Sequence, residues 1–336
     1  MVTVIIATAN RPAMLRQALA SVQAQTEVAR VGEVLVSENA GCVESELVCK
    51  EFPKLPIRYV RRDPPLSREA HGRTLLCEEP GPGPYAAILN DDDWWAPEHL
   101  DRGLAWLDGN PRASAWTCCA FSVVGSSPEL DCDNNFLQWF AAGYPPKGET
   151  WELDLTAVML ANLGETSLRY SALVARTALL VPAAKAMAKV YNPFDNDRLL
   201  AFEIARQGPI GYAPLPSAFI RMHPGQDVNN FDHKAMSRYR RGATAYLVGE
   251  CVRLGIDLRA VIALRYEQCP AESRERLISQ FCTPRWAEAL TRHGLAPASL
   301  ARRIVPPPTA SMFQEALRLF VPPIVLGGSS TPRRQS

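Results

Sequence analysis

The sequence lacks any run of about 18 apolar residues, the length that a membrane-spanning helix needs. Its start, MVTVIIATANRP, also lacks the basic segment that precedes the apolar core of a secretion signal. The apolar stretch within it is short and β-branched, which is typical of a buried strand. We therefore predict no membrane span, no secretion signal and a cytoplasmic location.

An excess of charge of either sign is lacking as well. Lys and Arg total 36 and Asp and Glu total 35, which leaves a formal net charge of +1. Binding to nucleic acid or to a membrane surface through bulk charge needs a strongly basic protein, so neither is expected. Hydrophobic residues make up 47% of the chain, enough for a sizeable core, and this excludes general disorder.

Paired cysteines are the third absence. The nine cysteines include no CxxC pair, so the spacing of a structural zinc site is missing. The count is odd, which argues against a complete disulfide framework. Free thiols in a reducing compartment are the simplest interpretation.

What is present is a regular alternation of strands and helices over the first 110 residues. Strands are predicted at 2–7, 32–37, 57–61 and 85–89, and helices at 13–24, 44–52, 68–78 and from Pro97 to 108. This alternation predicts an α/β fold with a mostly parallel sheet flanked by helices. Ligands bind such sheets at the carboxyl ends of the strands. The polar clusters 8–11, 38–41 and 90–93 should therefore meet in one site.

The remainder divides into an α/β part and a helical part. Strands are predicted at 114–124 and 168–175, an amphipathic helix at 197–207, extended chain at 209–222, and helices at 234–254, 259–267, 271–281, 284–293 and 312–319. We expect a domain over 1–230, with a nucleotide-binding half at 1–110 and an acceptor half at 111–230. A helical extension follows at 231–327, and then a disordered tail at 328–336.

The run Asp91-Asp92-Asp93 follows a buried strand directly. Three adjacent carboxylates repel one another and lose hydration unless a cation lies between them. Mg²⁺ takes one or two carboxylates together with the phosphates of a substrate. The run therefore predicts a divalent metal at a nucleotide-diphosphate site. The competing interpretation is a solvated loop that caps the helix near Pro97.

Four segments, in this order, resemble inverting glycosyltransferases of family 2, which have the GT-A fold. They are VTVIIATANRP (2–12), EVLVSENAG (33–41), YAAILNDDDWWAPEHL (85–100) and FDNDRLLAFEIARQGPIGYAPLPSAFIRMHPGQ (194–226). The resemblance covers roughly residues 1–227. It implies transfer of a sugar from a nucleotide-diphosphate donor with the help of Mn²⁺ or Mg²⁺.

The resemblance also implies roles for individual residues. The nucleotide would contact Thr8, Asn10, Arg11, Glu38, Arg73, Asn90 and Asp91. The metal would be held by Asp92 and His223, with Asp93 as a further candidate ligand. Arg221 is a candidate contact of the diphosphate, as is Arg73, because guanidinium groups pair well with phosphate oxygens.

An inverting transfer needs a carboxylate that removes the acceptor proton. The alignment of the fourth segment assigns this role to Asp197, with Asp195 as second choice. Asp197 at a helix start is also explained by simple capping. The acceptor is expected near the aromatic stretch 136–151, which includes Trp139 and Trp151.

Two functions remain open. The first is a metal-dependent inverting glycosyltransferase that uses a UDP- or dTDP-sugar, acting on a bacterial polysaccharide or natural product. The second is a non-catalytic nucleotide-sugar-binding or regulatory protein, because Asn90 and Asn196 replace acidic residues of the family pattern. A nucleotidyltransferase is disfavoured, since no glycine-rich phosphate loop follows the first strand. The C-terminal helices carry no recognised motif, and a homodimer interface, a cover over the acceptor side and contact with another protein remain open.

Overall fold

The computed structural model describes residues 1–125, 127–130, 150–162, 168–190, 196–225, 233–269, 271, 274–297 and 310–320. The predicted tail at 328–336 lies outside these ranges. Within them, no helix combines the length and the apolar character needed to cross a membrane. The eight described cysteines are free thiols, as predicted.

Strands and helices alternate through the first half of the chain, and helices fill the last part. The described strands are β1 (Val2–Thr8), β2 (Val31–Glu38), β3 (Ile57–Arg61), β4 (Tyr85–Ile88), β5 (Trp94–Trp95), β6 (Ala115–Val124), β7 (Ser127–Leu130), β8 (Trp151–Leu153), β9 (Val174–Arg176) and β10 (Ile210–Met222). The described helices are α1 (Pro12–Gln23), α2 (Val43–Lys50), α3 (Arg68–Arg73), α4 (His99–Gly109), α5 (Leu155–Asn162), α6 (Thr177–Ala188), α7 (Asn196–Ala205), α8 (His233–Arg253), α9 (Leu258–Gln268), α10 (Arg274–Phe281), α11 (Pro284–Arg292) and α12 (Ala310–Phe320).

All of these strands belong to one mixed sheet. Its order is β3-β2-β1-β4-β9-β6-β10-β5, with β7 paired to β6 and β8 paired to β10. The first four strands are parallel, as the alternating pattern predicts, and so are β6 and β10. Strands β5, β7, β8 and β9 pair antiparallel. The fold is thus α/β, and its parallel half lies next to the predicted nucleotide site.

The sheet is covered on both faces, which explains why β1 reads as an unbroken apolar run. Val4 and Ile6 pack with helices α1, α2 and α4 on one side. Ile5 points to the other side, where α5, α6 and α7 lie. The exits of the parallel strands are therefore the open edge of a sheet buried between two helical layers.

Several predicted elements differ from the structure. The helix expected from Pro97 begins at His99, since the His99 N–H closes a turn onto the carbonyl of Ala96 at 3.1 Å. In place of a strand at 168–175, the chain forms a 3₁₀ turn, Tyr170–Ala172, and then β9. Helix α6, which contains Pro182, was not predicted from the sequence.

Helix α7 was predicted to be amphipathic, but it is buried from Arg198 to Ala205. It packs against α5, α6 and α8, so no face of it meets solvent over that range. Even the charged side chain of Arg198 is buried, with its guanidinium 5.9 Å from the ring of Trp286. Helices on both sides therefore fix the position of α7.

Candidate active site

The exits of β1, β2 and β4 meet at one place. The Thr8 hydroxyl donates a hydrogen bond to Oδ2 of Asp91 at 2.7 Å. The backbone N–H of Asn10 donates to Oε1 of Glu38 at 3.1 Å. The three polar clusters predicted at the strand ends therefore converge, as expected for parallel strands.

Glu38 lies beneath this site rather than on its surface. Its side chain is fully buried. Besides Asn10, it accepts hydrogen bonds from the Ala40 N–H at 2.8 Å and from the Ser45 hydroxyl at 2.6 Å. A carboxylate saturated in this way holds the loops after β1 and β2 in place. The expected contact of Glu38 with the nucleotide remains a prediction.

Asn10 lies in the left-handed region of backbone conformation, with φ of 55°. Among non-glycine residues, Asn tolerates this region best, at a cost on the order of 1 kcal/mol. The hydrogen bond to Glu38 offsets that cost. The side chain of Asn10 is exposed, so it remains available for the predicted nucleotide contact.

Asp91 and Asp93 of the acidic run are buried, 3% and 2% exposed, and Asp92 lies nearer the cleft surface. Asp93 accepts hydrogen bonds at both oxygens. Ser171 Oγ donates to its Oδ2 at 2.5 Å, Asn90 Nδ2 donates to the same oxygen at 3.2 Å, and the Arg221 N–H donates to its Oδ1 at 3.0 Å. Asp93 therefore anchors the turn, and it is not placed as a metal ligand.

This anchor also explains Asn90. Its amide donates to Asp93, which a carboxylate at the same position could not do. Its backbone N–H donates to Ser171 Oγ at 3.0 Å. The amide that replaces the family's acidic residue thus stabilises the turn, and the expected contact of Asn90 with the nucleotide remains a prediction.

Asp92 faces the imidazole of His223. Oδ2 of Asp92 lies 3.2 Å from Nε2 of His223, and the two side chains are 13% and 15% exposed. Arg11 adds a cation, with Nη1 at 3.2 Å from Oδ1 of Asp91 and 3.4 Å from Oδ2 of Asp92. Arg11, the pair Asp91-Asp92 and His223 lie far apart in the sequence, and the fold brings them together.

Burial changes the acid–base properties of the run. Burial and the neighbouring charge of Asp92 raise the pKa of Asp91 to about 6, against the opposing effects of Arg11 and Thr8. The same two causes raise the pKa of Asp93 to about 7. Raised values mean that negative charge is costly here, so the run favours a bound cation.

The donor set was compared with the needs of a divalent metal. Among the described residues, no three His, Cys, Asp or Glu side chains are grouped to hold an ion by themselves. Asp92 and His223 offer one oxygen and one nitrogen at 3.2 Å. Neighbouring ligands of an octahedral ion are about 3 Å apart when each bond is about 2.1 Å. The pair therefore fits a metal that takes its other ligands from phosphates and water.

Arg221 contacts the protein around the acidic run. Its Nε donates to the carbonyl of Asp92 at 2.9 Å, and its Nη2 donates to Oε1 of Gln17. Its guanidinium lies 4.8 Å from the ring of Trp94. These contacts fix the backbone that carries Asp92. The expected contact of Arg221 with a diphosphate remains a prediction.

Asp197 lies in the first turn of α7 and is linked to the acidic run. Its Oδ2 accepts the N–H of Tyr170 at 3.3 Å. The next residue, Ser171, donates to Asp93 and also accepts, at its carbonyl, the indole N–H of Trp95 at 2.5 Å. No sequence motif marks Tyr170 or Ser171, so sequence reasoning missed them. The second-choice base, Asp195, lies outside the described residues.

A cleft runs beside this link, between α3 and α6. Leu76 and Met187 contribute apolar surface, while Arg73 and Asn196 supply polar groups. Arg73 is half-exposed and pairs with Glu78 at 3.4 Å. Its guanidinium is accessible from the cleft, and its contact with phosphate remains a prediction.

Of the two tryptophans predicted to contact the acceptor, Trp151 is described by the structure and Trp139 is not. Trp151 is 6% exposed and packs against Tyr212, with ring centroids 5.8 Å apart. It packs in the core because β8 pairs with β10 there, and its acceptor role remains a prediction. Trp139 lies outside the described residues.

Comparisons with known proteins agree with this geometry. Residues 3–128 match the family described as Glycosyl transferase family 2. S. aureus TarS 1–349 in complex with UDP-GlcNAc is 15% identical, with a TM-score of 0.55 over 87% of this chain and 80% of that one. TarS 1–349 without that ligand is 14% identical, with a TM-score of 0.52 over 90% of this chain and 89% of that one.

No curated protein matches the sequence. At these identities the solved structures bear on the fold alone, and they share the GT-A arrangement. The family match covers the first three of the four segments, and the likeness in fold extends over most of the chain. Residues 3–128 thus resemble family 2 glycosyltransferases, and the chain has a fold similar to the GT-A type.

Proposed function

We propose that the protein is a metal-dependent inverting glycosyltransferase that moves a sugar from a nucleotide diphosphate to an acceptor hydroxyl or amine. The observation that carries the proposal is the link through Tyr170 and Ser171. Tyr170 contacts the carboxylate of Asp197, and the next residue, Ser171, contacts Asp93 of the acidic run. A single displacement needs the base and the leaving-group site on opposite sides of one sugar, and this link connects the two proposed groups.

The donor side uses the open part of the acidic run. Asp92 and His223 would hold Mn²⁺ or Mg²⁺, which when bound supplies positive charge that stabilises the leaving diphosphate. The exposed side chain of Asn10 is the candidate nucleoside contact. UDP is the first nucleotide to test, with dTDP second, because a structure of TarS contains UDP-GlcNAc.

The acceptor side centres on Asp197. Its carboxylate would take the acceptor proton while the acceptor oxygen attacks the anomeric carbon opposite the diphosphate. That geometry inverts the configuration at the anomeric carbon. The N–H of Tyr170 orients the carboxylate of Asp197 in the first turn of α7.

The competing function is nucleotide-sugar binding without turnover. Asn196 favours it, because an amide replaces the family's acidic residue beside the proposed base and lines the cleft. Asn90 does not favour it, since that amide anchors the turn. Both functions predict donor binding, and only the first predicts chemistry.

The test is hydrolysis or transfer of UDP- and dTDP-sugars with Mn²⁺, in the parent and in Asp197→Asn. Loss of a general base lowers the rate by about 10²- to 10⁴-fold. Asp257→Asn is the matched control, because Asp257 caps α9 by accepting the N–H groups of Arg259 and Ala260. It should lose a little stability and keep the parental rate.

Donor binding is measured separately by thermal shift with UDP and dTDP, in Mn²⁺ and in chelator. A shift that needs the metal, together with turnover lost in Asp197→Asn, supports the enzyme. A shift without any turnover in the parent favours the binding protein. A shift that is equal in chelator contradicts the metal assignment.

A further inference from the structure

Arg11 contacts the carboxylates of both Asp91 and Asp92. One nitrogen, Nη1, lies 3.2 Å from Oδ1 of Asp91 and 3.4 Å from Oδ2 of Asp92. The other, Nη2, donates to the carbonyl of Gly225 at 3.1 Å. The guanidinium thus joins the loop after β1, the acidic run and the segment that carries His223.

The same oxygen of Asp92 is the one assigned to the metal. Oδ2 faces His223 on one side at 3.2 Å and Arg11 on the other at 3.4 Å. A divalent ion bound to this oxygen would lie close to the guanidinium, and like charges repel at that range. Arg11 and the metal are therefore competitors for one carboxylate pair.

The side chain of Arg11 lies on the solvent side of the two carboxylates and can turn away from them. Its side chain is 25% exposed, against 5% for Asp91 and 13% for Asp92, so it covers the carboxylates from the solvent side. Phosphate oxygens are strong acceptors for a guanidinium. A nucleotide diphosphate in the cleft would offer its phosphate oxygens to Arg11. The guanidinium could then leave the carboxylates of Asp91 and Asp92.

We propose that Arg11 is a built-in counterion that the metal and the donor diphosphate displace together. This inference rests on the proposed function, because it takes Asp92 and His223 as the metal site. In the free protein the guanidinium neutralises Asp91 and Asp92 and keeps the turn folded. On loading, Mn²⁺ takes the oxygens and the guanidinium turns to the phosphates. Arg11 thereby makes metal binding depend on the nucleotide.

The test is the Mn²⁺ affinity of the full chain without nucleotide, read from the electron spin resonance signal of free Mn²⁺. Removing a competing cation should tighten binding, so we expect Arg11→Met to bind Mn²⁺ about 10-fold more tightly than the parent. Arg16→Met, on the helix α1 that follows Arg11, is the control. Arg16 pairs with Glu51 at 2.7 Å on the surface, and its loss should leave Mn²⁺ affinity unchanged.

The second arm repeats the titration with saturating UDP. In the parent, UDP should strengthen Mn²⁺ binding through phosphate ligation and through removal of Arg11. In Arg11→Met only the first contribution remains, so the gain from UDP should shrink by about the factor seen without nucleotide. A role of Arg11 in structure alone would weaken metal binding in both arms.

Arg11→Gln serves as a second neutral variant that keeps hydrogen-bond donors to the carboxylates, in case Arg11→Met does not fold. Equal or weaker Mn²⁺ affinity in a folded neutral variant overturns the counterion role and leaves the proposed function intact. Absence of Mn²⁺ binding in the parent and the variants, even with UDP, overturns the metal site itself. The two failures are therefore distinguishable.

Discussion

At the scale of single residues, the sequence identifies candidate site residues more readily than the role of each one. The run Asp91-Asp92-Asp93 was recognisable, but three identical side chains give no sign of which is buried. Ser171 decides this by donating to Asp93, and it is 81 residues away from Asn90, its other partner. Contacts over that distance depend on the whole fold, so roles within the run could not be predicted.

The buried state of Asp93 predicts a dependence of stability on pH. Its native pKa of about 7 exceeds the ordinary value of 3.8, so the native state binds the proton more tightly than the unfolded chain. Its contribution is full below about pH 4 and is lost as pH rises through about 7. Without metal, the free energy of unfolding should fall as pH rises from about 5 to about 7.5, and Asp91, whose pKa is raised to about 6, contributes to the same fall.

Urea denaturation in chelator at those two pH values measures the change. Asp93→Asn cannot ionise at this position and should reduce the fall, leaving the part that is due to Asp91. Asp108→Asn is the control, because hydrogen bonds from Tyr85 and Arg30 lower the pKa of Asp108, and its contribution disappears only in acid. An unchanged slope in Asp93→Asn would show that another group titrates.

At the scale of elements, strands and helices of the parallel half were predicted well because each has a clear period and a clear break. Prediction was poorer where tertiary contacts override local pattern. Helix α7 has polar residues in its sequence, yet α5, α6 and α8 bury it. Helix α6 contains Pro182, a residue that argues against a helix interior. The burial of Trp151 could not be predicted, because nothing in the sequence shows that β8 joins the sheet.

The close packing of α4 on the sheet can be tested by substitution of Gly103. A Cβ at Gly103 would lie 2.9 Å from the ring of Trp116 and 3.0 Å from the side chain of Val174. Gly103→Ala should therefore cost about 1–3 kcal/mol of stability through overpacking. The measurement is the midpoint of denaturant unfolding.

Gly242 in α8 is the matched control. It is exposed, and a Cβ there meets nothing within 4 Å. Gly242→Ala should stabilise the protein by about 0.5–1 kcal/mol, because alanine loses less entropy in a helix. If both substitutions had the same sign, the packing of α4 against β6 and β9 would differ from that described.

At the scale of the whole molecule, the C-terminal helices join the core of the α/β part. Five helices were predicted and five are described, from α8 to α12. Their buried residues are continuous with those of α5 and α7. The division near residue 230 and a dimer interface on these helices remain predictions. Helical periods could be read from the sequence, whereas their docking partner could not.

An ion-pair network tests this docking. Glu203 of α7 is buried, accepts the hydroxyl of Tyr246 at 2.5 Å and pairs with Arg206 at 2.9 Å, and Arg206 also pairs with Glu250 of α8 at 2.9 Å. Arg206→Met would leave a buried carboxylate without its cation. We expect a loss of about 2–4 kcal/mol, seen as one cooperative unfolding transition.

Arg253→Met is the control in the same network. Arg253 pairs with Glu250 at 2.6 Å, but its side chain is 55% exposed. Its loss should change stability by less than about 0.5 kcal/mol. Two separate transitions in the parent, with Arg206→Met affecting only the later one, would contradict a shared core.

The turn at Tyr170 and Ser171 has a consequence for how the two halves of the reaction communicate. One residue contacts the proposed base and the next contacts the acidic run. A shift of the acidic run on donor loading would therefore displace Asp197 by a similar amount and in step. Before the donor binds, Asp197 would then lie outside the position needed to deprotonate an acceptor. This coupling would limit hydrolysis of the donor by water.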